Sequence, residues 1–393
     1  MDLTVPHLLH SSAKQHKVDR DYLPIFRTPV RSSVVPVQPA ERQWQVIAAG
    51  LKKPLEGISE ELNSIAMQNL DYAPARRRVR SAFVDIHRNL NHPLFKMAPA
   101  EIQTEEWYER NSKGYELFCK RWMSDPGKPV KGALLFSHGY GDTCTFFFDG
   151  IARRLAACGY CVYALDHPGF GLSQGLHGYI PDFDELADNV IFLSTKIKEK
   201  TEITGLPFFM LGQSMGGAVA IKAHFKQPHA WDGIILIAPM CKIAEGVMPP
   251  ALLLKALKLM SIIMPKAKLF PFKDLTDITI REPQKRGLAY YNVVCYNDQM
   301  RLKTAVELIN ATIEIESKVE QVSSPLLVLH GAADKVTDPK VSKFLYERAS
   351  SNDKTLKLYD GGYHSILEGE PDDRIYALLD DIVAWLDSRC LKS

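Results

Sequence analysis

Long apolar runs are missing from this chain. None of its 393 residues falls in a run approaching 18, the length a helix needs to cross a bilayer. No transmembrane helix is therefore expected. The N-terminus has no compact apolar core behind basic residues, so a secretory signal is not expected either. Charge of one sign is not in excess. Lys and Arg number 48 against 46 Asp and Glu, for a formal net charge of +2, which gives no reason to expect a nucleic-acid partner. The seven cysteines are scattered and do not form a disulfide framework, which points to a reducing compartment. Cys158 and Cys161 form a C-x-x-C, read as two small apolar residues where a helix gives way to a strand. The histidines lack H-E-x-x-H spacing, the cysteines form no zinc pattern, and neither a P-loop nor a dinucleotide glycine fingerprint occurs. No metal and no cofactor are expected.

What is present is an alternation. Residues 1 to about 40 are rich in Pro, Ser, Arg and Lys and carry only Asp2, Asp19 and Asp21 as acids. They are expected to be disordered and could serve as a transit segment, with a chloroplast location as one reading and a cytoplasmic, membrane-peripheral one as the other. The stretch 44–70 has helix-like apolar spacing broken by Pro54. "ARRRVR", residues 75–80, reads as a solvated basic face or a remnant of the transit region. Together residues 1–100 form an N-terminal extension, and 101–393 the main domain.

From about 103 two strands surround an Asn-Ser-Lys-Gly turn. Apolar strands then alternate with helices: "GALLFSHG", "YCVYALDHPG", "PFFMLGQ" and "DGIILIAP" are each separated by a helical stretch. Near-continuous apolar strands require burial on both faces, as in a parallel sheet. The fold class is α/β, a mostly parallel sheet with helices on both faces. The alternation stops at about 240 and resumes with "SPLLVLHG". Residues 241–320 are therefore a helical cap inserted between two strands, over the carboxyl edge where open α/β sheets bind ligands.

At that edge stands Gly212-Gln213-Ser214-Met215-Gly216, a G-x-S-x-G between a strand and a helix. Such a turn exposes its serine as a nucleophile. Serine needs a base to take its proton, and the order in this architecture is serine, acid, histidine. Asp334, after "LLVLHGAAD", and His364, after "KLYDGGYH", stand in that order in loops opening at the same edge. His330 reads as structural, Asp338 as a helix cap, Asp360 as a turn residue, and His138 as a scaffold for its loop. The acyl oxygen needs donors where negative charge develops. The backbone N–H groups of Met215 and of Tyr140, in "HGYGD", are the candidates for this oxyanion hole.

Five motifs, "SHGYGD", "DHPGFGLSQG", "GQSMGG", "LHGAAD" and "GGYH", occur in order. With them the chain resembles the monoacylglycerol lipase-like serine hydrolases of the α/β-hydrolase fold, and in particular the plant branch that includes lysophospholipases and caffeoylshikimate esterases. The likeness runs from about 103 to 388. It implies Ser214, Asp334 and His364 as a catalytic triad and Tyr140 and Met215 as oxyanion donors. Many relatives carry Gly-His-Gly where this chain has Gly169-Phe170-Gly171, which puts substrate preference in doubt and leaves the triad untouched.

The leading reading is thus a serine esterase or lipase acting on a monoacylglycerol or lysophospholipid, with a phenolic ester as the alternative. Two others compete: an acyltransferase, on the H-x-x-x-x-D spacing of His177 and Asp182, and a small-molecule receptor on the same fold. In the cap, "PPALLLKALKLMSIIM" (249–264) carries only Lys255 and Lys258 as charges. It is either buried within the cap or a lid resting on a membrane surface.

Overall fold

The computed structural model describes residues 54–96, 101–125, 127–243 and 248–390. The segment with the expected disorder and transit function lies outside the described residues. The chain opens with α1 (Glu60–Ala66), α2 (Ala73–Arg88) and α3 (Pro93–Lys96). An antiparallel hairpin follows, β1 (Gln103–Arg110) and β2 (Glu116–Met123). Then come β3 (Gly132–Ser137), α4 (Phe147–Ala157), β4 (Tyr160–Leu165), α5 (Asp184–Lys198), β5 (Phe208–Gln213), α6 (Met215–Lys226) and β6 (Gly233–Ile237). The insertion holds α7 (Ala251–Ile263), α8 (Thr276–Thr279), α9 (Pro283–Ala289) and α10 (Leu302–Lys318). The chain returns through β7 (Leu326–Gly331), α11 (Pro339–Arg348), β8 (Lys354–Tyr359) and α12 (Asp372–Cys390).

The strand order is β1-β2-β4-β3-β5-β6-β7-β8. Pairing is antiparallel from β1 to β4 across β2 and parallel from β4 to β8. Strands β3 to β7 are buried at every position, as their unbroken apolar runs predict. Alternate residues serve opposite faces: Leu135 and Met210 join one core cluster, Leu134, Phe136, Phe209 and Leu211 the other. All parallel strands end on the same side, so the loops after β3, β5, β7 and β8 meet there.

The basic run 75–80 is not a solvated face or a transit remnant. Ala73, Arg76, Val79 and Phe83 of α2 share the buried face, as their three- and four-residue spacing requires. Val79 and Phe83 enter the core beside Leu94, Trp122 and Phe148, and burying each contributes about 1.5–3 kcal/mol. Arg77 and Arg80 pair with Glu116 and Glu106. This part of the N-terminal extension is folded onto the sheet.

In the cap, α7 packs against α10. Ser261 is its buried residue and Leu254 and Leu257 are half-buried. Burial within the cap, one of the two expectations for this stretch, is not found: Leu252 is 81% exposed, Ile262 77%, Ile263 74% and Leu259 62%. A 13-residue helix has one stripe to dock, and this one carries apolar residues all round.

Candidate active site

The turn at Ser214 follows from its glycines. Ser214 sits at φ 51°, ψ −117°, a conformation that L-residues adopt only under constraint. A methyl group at Gly216 would lie 1.9 Å from the Ser137 carbonyl oxygen, and one at Gly212 would lie 2.4 Å from the Gly216 oxygen. Strand β3 and helix α6 therefore approach this turn as closely as a bare backbone allows. Ser214 N–H donates to Ile237 O at 2.9 Å, and Ser214 O accepts from Met240 N at 3.0 Å. These bonds to the neighbouring strand and the loop after it hold the strained residue in place. Helix α6 begins at the next residue, with its dipole and first N–H groups behind the hydroxyl.

The structure brings the three expected side chains together. His364 Nε2 lies 3.1 Å from Ser214 Oγ, and His364 Nδ1 lies 2.7 Å from Asp334 Oδ2. Asp334 has no exposed side-chain surface. Its Oδ1 accepts from the N–H groups of Val336 (2.7 Å) and Thr337 (3.1 Å). Burial alone would raise its pKa. Hydrogen bonds from His330 and His364 and the charge of His364 outweigh that and hold the carboxyl well below the usual range. His330, read as structural, has a more specific task. Its Nε2 lies 3.0 Å from Asp334 Oδ2 and 2.9 Å from Thr337 O, while Nδ1 faces Ser342 Oγ at 2.6 Å. It steadies the acid at the same oxygen that faces His364. The four-residue step from His330 to Asp334 across a strand end is the only trace of this in the sequence. Asp338 caps α11 by accepting from Lys340 N, and Asp360 stands in the turn after β8, as expected.

The loop 138–142 lies directly over the serine: a side chain at Gly139 would come within 3.4 Å of Ser214 Cβ. Tyr140 follows Gly139 in this loop, and Met215 follows Ser214 at the head of α6. His138 is a scaffold residue, its Nε2 accepting from His167 N at 2.9 Å. Phe170 is fully buried, with its ring edge-on to His138 and Tyr140, centroids 5.8 and 5.5 Å apart. It supports this loop from below. The cap grips the same loop from above: Tyr296 N donates to Gly141 O at 2.7 Å and Asn292 Nδ2 to Asp142 Oδ1 at 2.9 Å.

A second group of carboxyls, Glu368 and Asp142, carries no signal in the sequence. Gln213, beside the serine, donates from Nε2 to Glu368 Oε1 at 3.1 Å. Burial, then the nearby Asp142 carboxylate, pushes Glu368 up to about 7 against hydrogen bonds from Ser365 and Gln213. Asp142 is likewise raised, chiefly by burial. Because the native state holds the Glu368 proton more tightly than the unfolded chain, stability should fall as pH rises from 4.5 to about 7. Thermal melting of Glu368→Gln, which cannot ionise, should show a shallower fall over that window than the parent chain. Parallel melting curves would exclude this contribution.

His177 and Asp182 have structural partners. The His177 ring is edge-on to Tyr296 at 4.9 Å, and the His177 backbone N–H donates to Asp71 O. Asp182 accepts from Asp184 N at the start of α5. The Ser214–His364–Asp334 relay is completed without either. Cys158 closes α4 and Cys161 lies in β4, both as free thiols. Among the described residues, no group of three or more His, Cys, Asp or Glu side chains could hold a metal ion.

Comparison with known proteins agrees with this geometry. Residues 128–372 match the family described as serine aminopeptidase, S33. The chain is 33% identical over 299 residues to caffeoylshikimate esterase of Arabidopsis thaliana, covering 73% of this chain and 90% of that protein. It is 31% identical to monoglyceride lipase of Rattus norvegicus, covering 71% and 89%. Among solved structures, a soluble variant of monoglyceride lipase from Saccharomyces cerevisiae superposes with a TM-score of 0.61 at 23% identity, covering 72% of this chain and 95% of that one. The family match spans more than half of the chain and the relatives cover more than two thirds of it, so the chain belongs to the serine aminopeptidase, S33 family and is a monoglyceride lipase-like serine hydrolase of carboxylic esters, built on the α/β-hydrolase fold.

Proposed function

We propose that this enzyme hydrolyses the ester of a single-chain acyl lipid, a monoacylglycerol or a lysophospholipid, through an acyl-enzyme on Ser214. The observation that carries the reading is the continuous relay from Ser214 Oγ through His364 to the buried Asp334, under a cap rich in apolar side chains. His364 Nε2 takes the hydroxyl proton as Oγ attacks the ester carbonyl. The oxyanion is received by the N–H groups of Tyr140 and Met215. As the tetrahedral intermediate collapses, His364 returns the proton to the departing alcohol. Water, deprotonated by the same nitrogen, then releases the acid and free serine. Asp334 holds the imidazole with Nε2 facing the serine and stabilises its protonated form. The relatives named monoglyceride lipase support the choice of a lipid.

A fluorophosphonate probe should label Ser214 in the intact protein. The labelled and free enzymes should then be compared on monooleoylglycerol, lysophosphatidylcholine and caffeoylshikimate. Turnover of one of the two lipids at least about tenfold above the phenolic ester, abolished by the label, is the expected result. Preference for caffeoylshikimate would overturn the lipid assignment and retain the esterase.

The outer face of α7 supports a further part of the reading, contact with a membrane surface. Leu252, Leu259, Ile262 and Ile263 project into solvent together with Lys255 and Lys258. An apolar face with flanking lysines suits the boundary between acyl chains and anionic headgroups. Among the described residues no helix is long and apolar enough to span a membrane, so the contact would be peripheral. Leu254 and Leu257 face inward and are unsuitable probes. Leu252→Asp with Ile262→Asp should weaken binding to phosphatidylcholine–phosphatidylglycerol vesicles by at least about tenfold and slow long-chain ester turnover, with p-nitrophenyl butyrate hydrolysis unchanged. Each buried Leu or Ile contributes about 1.5–3 kcal/mol, which sets that scale. Unaltered vesicle binding would remove the membrane from the proposal.

A further inference from the structure

Arg76 is fully buried, the most costly place for a cation; the Asp166 and Asp71 charges lie near it, yet no carboxylate among the described residues is hydrogen-bonded to it. Its partners are backbone carbonyls. Nε donates to Gly171 O at 2.6 Å and Nη2 to Ser173 O at 2.6 Å and Gly175 O at 3.3 Å. Nη1 donates to Leu70 O (2.8 Å) and Asp71 O (3.2 Å). Arg77 adds a bond from Nε to Leu172 O at 2.9 Å. A planar fork of five N–H donors is thus spent on one loop, 166–175, and on the turn that leads into α2.

That loop reaches the reaction centre in two ways. Phe170, immediately before the first of the gripped carbonyls, lies edge-on against Tyr140 and His138. Asp166 accepts from Leu172 N, from Cys144 N and from Thr143 Oγ1, binding the loop to the residues that follow the oxyanion loop. The loop closes on itself through Gly169 N to Gln174 O (2.9 Å), Phe170 N to His167 O (2.9 Å) and Ser173 N to Phe170 O (3.1 Å), which leaves the carbonyls of Gly171, Leu172, Ser173 and Gly175 free to face the arginines. Gly169 and Gly171 have φ of 81° and 46°, and a side chain on Gly171 would strike Asp166 Oδ2 at 2.1 Å. Arg76 adds from outside a further constraint on the carbonyls that follow Phe170.

We propose that Arg76, in the part of the chain that precedes the family match, is a positioning residue for the oxyanion hole: it holds loop 166–175 so that Phe170 fixes the Tyr140 N–H opposite Ser214. The inference rests on the reading of Tyr140 N–H as an oxyanion donor and of Ser214 as the nucleophile. Lysine at position 76 keeps the charge and loses the fork, so a charge requirement and a geometric one are separated.

The experiment uses the full chain. Parent, Arg76→Lys and Phe170→Leu proteins are compared for kcat and KM on p-nitrophenyl butyrate, for inhibition by an alkyl trifluoromethyl ketone, and by thermal melting. The ketone forms an oxyanion in the hole and so reports it directly. Loss of one oxyanion donor costs about 10²–10³ in kcat, so partial misplacement should cost Arg76→Lys at least about tenfold in kcat. KM should stay within about twofold, and ketone affinity should weaken by a similar factor to kcat. Phe170→Leu should move the same two quantities in the same direction. A folded Arg76→Lys protein with kcat and ketone affinity within twofold of the parent overturns the inference, as does a change confined to KM or to melting temperature. If Arg76→Lys does not fold, unchanged ketone affinity in Phe170→Leu overturns it, and weakened affinity with KM retained sustains it. Fluorophosphonate labelling of Ser214 in the parent protein separates the two levels. A parent that is not labelled refutes the underlying reading, whereas a labelled parent with indifferent variants refutes only the role of Arg76.

Discussion

Ser214→Ala should abolish ester hydrolysis, with a fall in kcat on the order of 10⁶, the scale seen when a serine hydrolase loses its nucleophile. Ser214 Oγ is the atom facing His364 Nε2 at 3.1 Å, and the substitution leaves no other hydroxyl in that position in the relay. The fold should survive. The bonds that hold the turn, Ser214 N–H to Ile237 O and Ser214 O to Met240 N, are made by the backbone, which alanine retains. Alanine already occupies a positive φ of 44° nearby, at Ala238. Melting temperature should therefore change by no more than about 2–4 °C, the shift expected for about 1 kcal/mol in a domain of this size or smaller. A variant that keeps a tenth of the parent activity, measured on p-nitrophenyl butyrate and on monooleoylglycerol, would refute Ser214 as nucleophile.

Asp334→Asn should cost about 10⁴ in kcat, by analogy with the effect of the same change in a serine protease triad. The argument is one of protons. Asp334 Oδ2 receives both His364 Nδ1 and His330 Nε2, and Oδ1 receives the N–H groups of Val336 and Thr337. Apart from the Thr337 hydroxyl, 2.9 Å from Oδ2 and able to accept, every neighbour is a donor, so an amide NH₂ group is poorly matched in either orientation. Turned toward the histidines, it favours His364 with its proton on Nε2, the nitrogen that must receive the Ser214 proton. Turned the other way, it opposes two backbone N–H groups. The first outcome removes the base and the second loosens the loop. Asp338→Asn is the matching control. Asn caps a helix about as well as Asp, so α11 should keep its start and kcat its value. Should Asp338→Asn lose activity and Asp334→Asn retain it, the acid lies four residues further along the chain. Activity and melting temperature measured on both variants decide the matter.

These two predictions rest on residues that sequence order alone brought forward. The hydrogen bonds behind them were not visible there. His330 was legible as a structural histidine at a strand end, but its bond to Asp334 depends on how the chain folds back after β7. Glu368 gave no signal, since its raised pKa arises from burial and then from Asp142, more than two hundred residues away in sequence.

The order and type of the sheet elements were written in the sequence, because a strand buried on both faces must be apolar throughout and the helices between such strands must be amphipathic. The serine turn was written there as well, because only glycine tolerates the approach of β3 and α6 at positions 212 and 216. The serine, the acid and the histidine followed from loops that a parallel sheet is bound to place at one edge. Tertiary structure alone decided which face of an apolar helix finds a partner. In α7 the inward stripe of Leu254, Leu257 and Ser261 meets the rest of the cap and the remaining apolar residues are left in solvent, a division that an all-round apolar pattern does not encode. It also decided that Arg76, one of four arginines between 76 and 80, is the buried one that grips loop 166–175. A guanidinium is taken into a protein interior only where enough acceptors converge on it, and here several come from a loop nearly a hundred residues away in sequence.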